Sequence, residues 1–134
     1  MIARRHPDWR PRLVAYLEDV RARPFAYGTH DCALFVAGAV HAMTGFDAGA
    51  GFLGRYDSLK GGLKLIAGAD HVQLVRDLLD EVPPAFAQVG DIAVIGEVGI
   101  PALGLFDGET ILVLREEGLG RMPRDAASTA FRVP

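Results

Sequence analysis

The run from Asp31 to Gly45 constrains this chain more than any other stretch. It reads Asp-Cys-Ala-Leu-Phe-Val-Ala-Gly-Ala-Val-His-Ala-Met-Thr-Gly, small or apolar nearly throughout and broken only by His41. A helix that is apolar all round has no face to give to solvent, so it must lie at the centre of a fold. Thr44-Gly45 supplies its C-terminal stop. Everything else in the chain has to be arranged around this segment.

The flanking pattern says what surrounds it. Between Asp8 and Arg21, Trp9, Leu13, Tyr16, Leu17 and Val20 recur at helical spacing until Pro24 intervenes, which predicts an amphipathic helix packed by its aromatic face. From Phe46 to Gly62 glycines are dense and apolar periodicity fails, as in a loop. Helical spacing returns over Leu63 to Ile66 and Val72 to Leu79, with Gly68-Ala69-Asp70 as break and N-cap and Pro83-Pro84 as terminator. After that the apolar runs shorten: Ile92 to Ile95, Leu103 to Phe106 and Thr110 to Leu114 read as antiparallel strands, with Asp107-Gly108 as a hairpin signal. Leu119 to Met122 and Thr129 to Val133 extend the sheet, and Asp125 to Ser128 fits one helical turn. Helices followed by strands predict an α+β domain, and 134 residues, half of them apolar, suit a single domain spanning residues 1–134.

Chemistry concentrates at the start of the central helix. Cys32 is the only cysteine and follows Tyr27-Gly28-Thr29-His30-Asp31. In the first helical turn a sulfur meets unsatisfied backbone N–H groups and the positive end of the helix dipole, both of which favour thiolate. That makes Cys32 a candidate nucleophile, partly activated before any base acts. The opposing reading is equally physical: cysteine is among the most buried residue types and packs as a small apolar filler.

The stretch from Arg23 to Gly45, followed by Val89-Gly90-Asp91-Ile92-Ala93-Val94 and Ala102-Leu103-Gly104-Leu105, resembles the NlpC-like branch of the papain-type cysteine peptidases, which cleave peptidoglycan stem peptides. Tyr27-Gly28 matches the family's aromatic-Gly turn, Asp31-Cys32 its nucleophile pair and Gly90-Asp91 its strand opening. The resemblance implies a papain-like α+β fold, with N-terminal helices, a central Cys-bearing helix and a small C-terminal antiparallel sheet. One departure is chemical. The family's next strand begins with the catalytic histidine, and here that position is Ala102. An alanine can neither take the thiol proton nor return one to a leaving amine. The turn is also shorter than in the active peptidases, and the small residues that usually follow the cysteine are Ala33 and Leu34.

No histidine follows His71, so any replacement base has to come from upstream. His30, two residues before Cys32, would approach the sulfur if the turn folds back; the competing roles are capping the helix or lining a groove. His41 falls on the opposite helix face at about 3.6 residues per turn. His71 follows Asp70 at the start of another helix, where a solvated or capping role competes with that of a base, and His6 sits in the basic N-terminal segment. Cys32 and His30 are therefore the catalytic candidates, with Tyr27, Asp31 and Asp91 as candidates for the groove. Asp91 and the pair Arg55-Tyr56 also have ordinary readings, as a turn residue before a strand and as loop residues.

A formal charge of −3 gives no support to general nucleic-acid binding, and Arg4, Arg5, Arg10 and Arg12 read as a solvated helix face. One cysteine excludes an internal disulfide and a multi-thiolate zinc site, and no cofactor is called for. The N-terminus runs into Asp8-Trp9-Arg10 instead of an apolar core, so neither a signal peptide nor membrane insertion is expected. More narrowly, the chain resembles short phage and prophage proteins commonly encoded among tail genes, through its N-terminal helix, Tyr27 to Cys32, an Ala-rich helix ending in Thr44-Gly45, the Gly-rich segment with Arg55-Tyr56, and Gly90-Asp91. This resemblance implies synthesis in the host cytoplasm, a place in the virion tail tip or baseplate, and other tail proteins as partners. Three functions compete: a structural or catalytically degenerate tail component, an active cysteine peptidase or amidase acting on peptidoglycan as the phage enters the cell, and a module that holds a wall peptide or a neighbouring protein's segment without cutting it.

Overall fold

The computed structural model describes residues 2–65, 70–96 and 101–134. Among the described residues four helices, α1 (Trp9–Val20), α2 (Cys32–Thr44), α3 (Leu59–Leu65) and α4 (His71–Leu78), precede the sheet. Its strands are β1 (Asp80–Val82), β2 (Ile92–Ile95), β3 (Ala102–Asp107), β4 (Thr110–Arg115), β5 (Gly118–Pro123) and β6 (Ala127–Arg132). They form one antiparallel sheet in the order β1-β6-β2-β3-β4-β5. The protein is thus α+β among the described residues, as the change of periodicity implies.

Helix α2 is central, as its composition demands. Phe35, Val36, Ala39, Val40 and Met43 are all buried in one cluster with Leu13 and Val20 of α1 and with Ile92, Val94, Leu103, Leu105, Leu112 and Phe131 of the sheet. The sheet residues alternate with period 2, so Ala93, Phe106, Ile111, Val113 and Ala130 point to the opposite face and make a second cluster. That outer face is covered by the segment around Ala87, and Arg124 fastens the cover. Its guanidinium lies 4.8 Å from the Phe106 ring centroid and donates to the carbonyls of Pro84, Ala87 and Gly108.

Caps and turns fall where the sequence places them. Asp31 caps α2 by accepting from the Leu34 N–H, Gly45 ends that helix at φ +81°, and Asp70 caps α4 by accepting from the Gln73 N–H. Gly108 opens the two-residue β3–β4 turn at φ +67°, the positive value that tight hairpins need. The final helical turn is a 3-10 turn at Arg124–Ala126.

Three expectations need correction. The loop ends earlier than Gly62, because α3 begins at Leu59; Gly61 and Gly62 lie within it, and a Cβ on Gly62 would stand 3.2 Å from the Tyr56 ring. Glycine there serves close packing, not chain reversal. Strand β1, three residues pairing with β6, is too short to leave an alternation signal. Among the N-terminal arginines, Arg5 is not solvated. It donates to the Val133 carbonyl at 3.1 Å and the Val89 carbonyl at 2.8 Å, and pairs with Asp91 at 3.1 Å. Ile66 and Gly68-Ala69 lie outside the described residues.

Candidate functional site

Cys32 is the first residue of α2 and lines a cleft of about 640 Å³. The floor is α2, with Cys32, Ala33 and Ala37; one wall is the glycine-rich loop, with Gly49, Phe52 and Tyr56. Helices α3 and α4 supply Leu63, His71 and Leu74, and the start of β3 supplies Pro101, Ala102 and Leu103. Small side chains carve this space and large apolar ones enclose it.

The turn ahead of Cys32 is built round Asp31, which is 3% exposed. Its carboxylate accepts from the backbone N–H groups of Gly28 at 3.1 Å and Leu34 at 3.0 Å, and from the hydroxyl of Tyr56. A buried carboxylate needs such donors. Gly28 holds φ +84°, and a Cβ there would lie 1.7 Å from the Tyr56 carbonyl oxygen, while the Gly54 N–H donates to the Gly28 carbonyl at 2.7 Å. The loop is therefore latched onto the cysteine turn at three points. Burial, reinforced by the hydrogen bond to Asp31 and its charge, pushes the Tyr56 hydroxyl up, so Tyr56 stays a donor. Only the neighbouring Arg55-Tyr56 pair in a glycine-rich loop hinted at this role.

The thiol is not activated in the way the helix position alone would imply. Burial pushes Cys32 up from the ordinary thiol value, and the adjacent Asp31 carboxylate adds to the rise. The N–H groups of Leu103, Ala33 and Cys32 itself act in the other direction but do not win. Desolvation thus outweighs the helix terminus, and the resting sulfur is a neutral thiol. Leu103 and Ala102, one residue earlier on β3, both line the cleft that Cys32 lines. Ala102 is exposed at the cleft, with no ring to take a proton.

The histidines change places relative to expectation. His30 is 3% exposed, its ring sits edge-on to Phe35 with centroids 6.3 Å apart, and it does not line the cleft. It bridges backbone to backbone with Ala26 and so locks the turn. Burial, with the charge of Arg23, lowers its pKa against the opposing pull of Asp31, so it packs as a neutral ring. His30 is therefore not placed to serve as base. His71 does line the cleft, where its Nε2 lies 2.5 Å from the Pro101 carbonyl oxygen. With Nε2 as the donor, Nδ1 is left as the acceptor nitrogen. His41 is exposed, as the helix geometry requires.

Tyr27 stands at the rim, 39% exposed, with its ring edge-on to Phe25 at 4.8 Å. Asp91 belongs elsewhere. It is fully buried, accepts from the N–H groups of Gln88 at 2.8 Å and Val133 at 3.0 Å, and is paired with Arg5 at 3.1 Å and Arg132 at 3.0 Å. It ties the N-terminal segment, the start of β2 and the C-terminus together and is absent from the cleft. As a groove residue it is corrected to a structural one.

Among the described residues no three His, Cys, Asp or Glu side chains are grouped to hold a metal ion, and no helix is long and apolar enough to cross a membrane. No curated protein matches the chain. A family model described as a domain of unknown function, DUF6950, matches residues 4–133, and the chain belongs to that family.

Proposed function

We propose that this chain is an NlpC-like, papain-type module of a phage tail tip or baseplate whose catalytic centre is degenerate, and that it serves the assembly through packing and protein contacts. One observation carries this reading. Position 102, at the start of β3 where the resembling peptidases have their base, is an alanine, and it lines the same cleft as Cys32. The nucleophile helix packed on an antiparallel sheet agrees with a papain-like arrangement. Loss of a general base typically removes ~10² to 10⁴ in rate. The protein would be made in the host cytoplasm and carried in the virion tail beside other tail proteins. Incubation with purified peptidoglycan, reading the release of free amines, tests the reading: wild type should match Cys32→Ser, and wall-peptide cleavage that depends on Cys32 would refute it.

The active hydrolase is the second reading, and His71 is the observation that favours it. It shares the cleft with Cys32, and the Pro101 carbonyl gives it an orienting partner. Under this reading Cys32-dependent cleavage would be lost in His71→Gln and kept in His30→Gln.

A further inference from the structure

The cleft beside Cys32 holds far more than a packing defect, and its chemistry is one-sided. At about 640 Å³ it lies within the range of sites that take small molecules, and at the roughly 30 Å³ a water occupies it has room for about 20 heavy atoms. Leu34, Phe52, Leu63, Leu74 and Leu78 enclose it. Among the described residues no Arg or Lys lines it, and two acids, Asp31 and Asp77, do. An anionic occupant therefore has no partner.

Most polar side chains that face the cleft are already engaged, leaving His71 Nδ1 and the Tyr27 hydroxyl at the rim. Asp31 is taken up by Gly28, Leu34 and Tyr56. His71 Nε2 meets the Pro101 carbonyl, and Asp77 accepts from the Gln73 side-chain amide at 2.8 Å. Ala102 pairs with Ile95 on the other edge of β3. A peptide lying in this cleft would bury more backbone N–H and C=O groups than His71 Nδ1 and the Tyr27 hydroxyl can satisfy, and each unpaired one would be penalised. A chain without amides carries no such penalty.

We infer that the cleft is a binding site for an uncharged linear aliphatic chain, lying along α2 with one end at Cys32. This goes beyond a structural role in an assembly and does not depend on it. Cys32 is a built-in reporter at one end of the site. Alkyl methanethiosulfonates convert its thiolate to a mixed disulfide with methanesulfinate leaving, and their chain length can be varied.

The test follows the rate of Cys32 modification by the methyl, butyl, hexyl and octyl reagents at one pH, each divided by its rate on the same protein unfolded in urea. Full burial of a methylene corresponds to about a three- to fourfold gain in affinity. The native-to-unfolded ratio should therefore rise at least tenfold from methyl to hexyl, and Ala37→Trp, which fills the cleft floor, should flatten the rise. A ratio that is flat or falls with length in the wild type overturns the proposal. In a second arm, 1-octanol should protect Cys32 from the methyl reagent and a neutral capped tri-leucine peptide should not. Protection by the peptide and not by the alcohol likewise overturns it.

Discussion

The hydroxyl of Tyr56 donates to the carboxylate of Asp31, joining the glycine-rich loop to the first turn of the helix that carries Cys32. Asp31 also caps that helix and accepts from the Gly28 N–H. One buried carboxylate thus fixes the loop, the turn and the helix start together. Tyr56→Phe removes a hydrogen bond to a charged group and should cost about 1.5–3 kcal/mol in urea unfolding. Asp31→Asn should cost at least as much, and the double variant should fall short of the sum because the two residues share one interaction.

Gly28 tests the same latch from the backbone side. At φ +84° an alanine costs roughly 1–2 kcal/mol from conformation alone. Its Cβ would also overlap the Tyr56 carbonyl, so the loop must move. Gly28→Ala is expected to lower stability by more than about 2 kcal/mol and to speed Cys32 modification by opening the cleft wall, whereas Gly51→Ala, with nothing near its Cβ, should do neither.

Asp91 separates a structural acid from a groove acid. Asp91→Asn leaves Arg5 and Arg132 facing a neutral buried group and should cost about 3–5 kcal/mol, measured by chemical denaturation. Because Asp91 lies outside the cleft, the pH dependence of Cys32 modification in the folded variant should match wild type.

His30 makes stability depend on pH. Its folded pKa is lowered by burial, so the unfolded chain takes up a proton first as pH falls below the ordinary histidine value of about 6.5. The contribution is present above that pH and lost on the way down to the folded pKa. Thermal melts should show wild type losing more stability than His30→Gln between pH 7.5 and 5.5. Equal slopes would mean that the ring is solvated.

Much of this arrangement is written locally. The all-apolar α2, the Asp70 cap and the Asp107-Gly108 hairpin are short-range signals, and their structural outcomes match them. The relationships that decide the site are long-range. Asp31 meets Tyr56 across the loop, His71 reaches Pro101 from another element, and Arg5 finds Asp91 from the far end of the chain. No spacing rule connects such pairs. Proximity in sequence also misled for His30, whose ring packs on Phe35 while the more distant His71 enters the cleft. The helix-terminus argument for a thiolate failed because it counts the dipole and omits burial, which is set by the sheet and the loop.

Position 102 offers a gain-of-function check. Ala102 is exposed and lines the cleft that Cys32 lines, so Ala102→His adds a ring without displacing core. A neighbouring imidazolium stabilises thiolate strongly, and iodoacetamide should alkylate Cys32 in this variant at least about tenfold faster than wild type at pH 7.

The most direct test of the degenerate centre is the rate of Cys32 alkylation by iodoacetamide against pH, in the native protein and in the same protein unfolded. With the thiol held neutral by burial and alanine at position 102, the native rate at pH 7 should lie below the unfolded rate and reach half its maximum above the free-thiol value of about 8.5. A native rate that persists well below that pH would mean a stabilised thiolate, and would contradict the account.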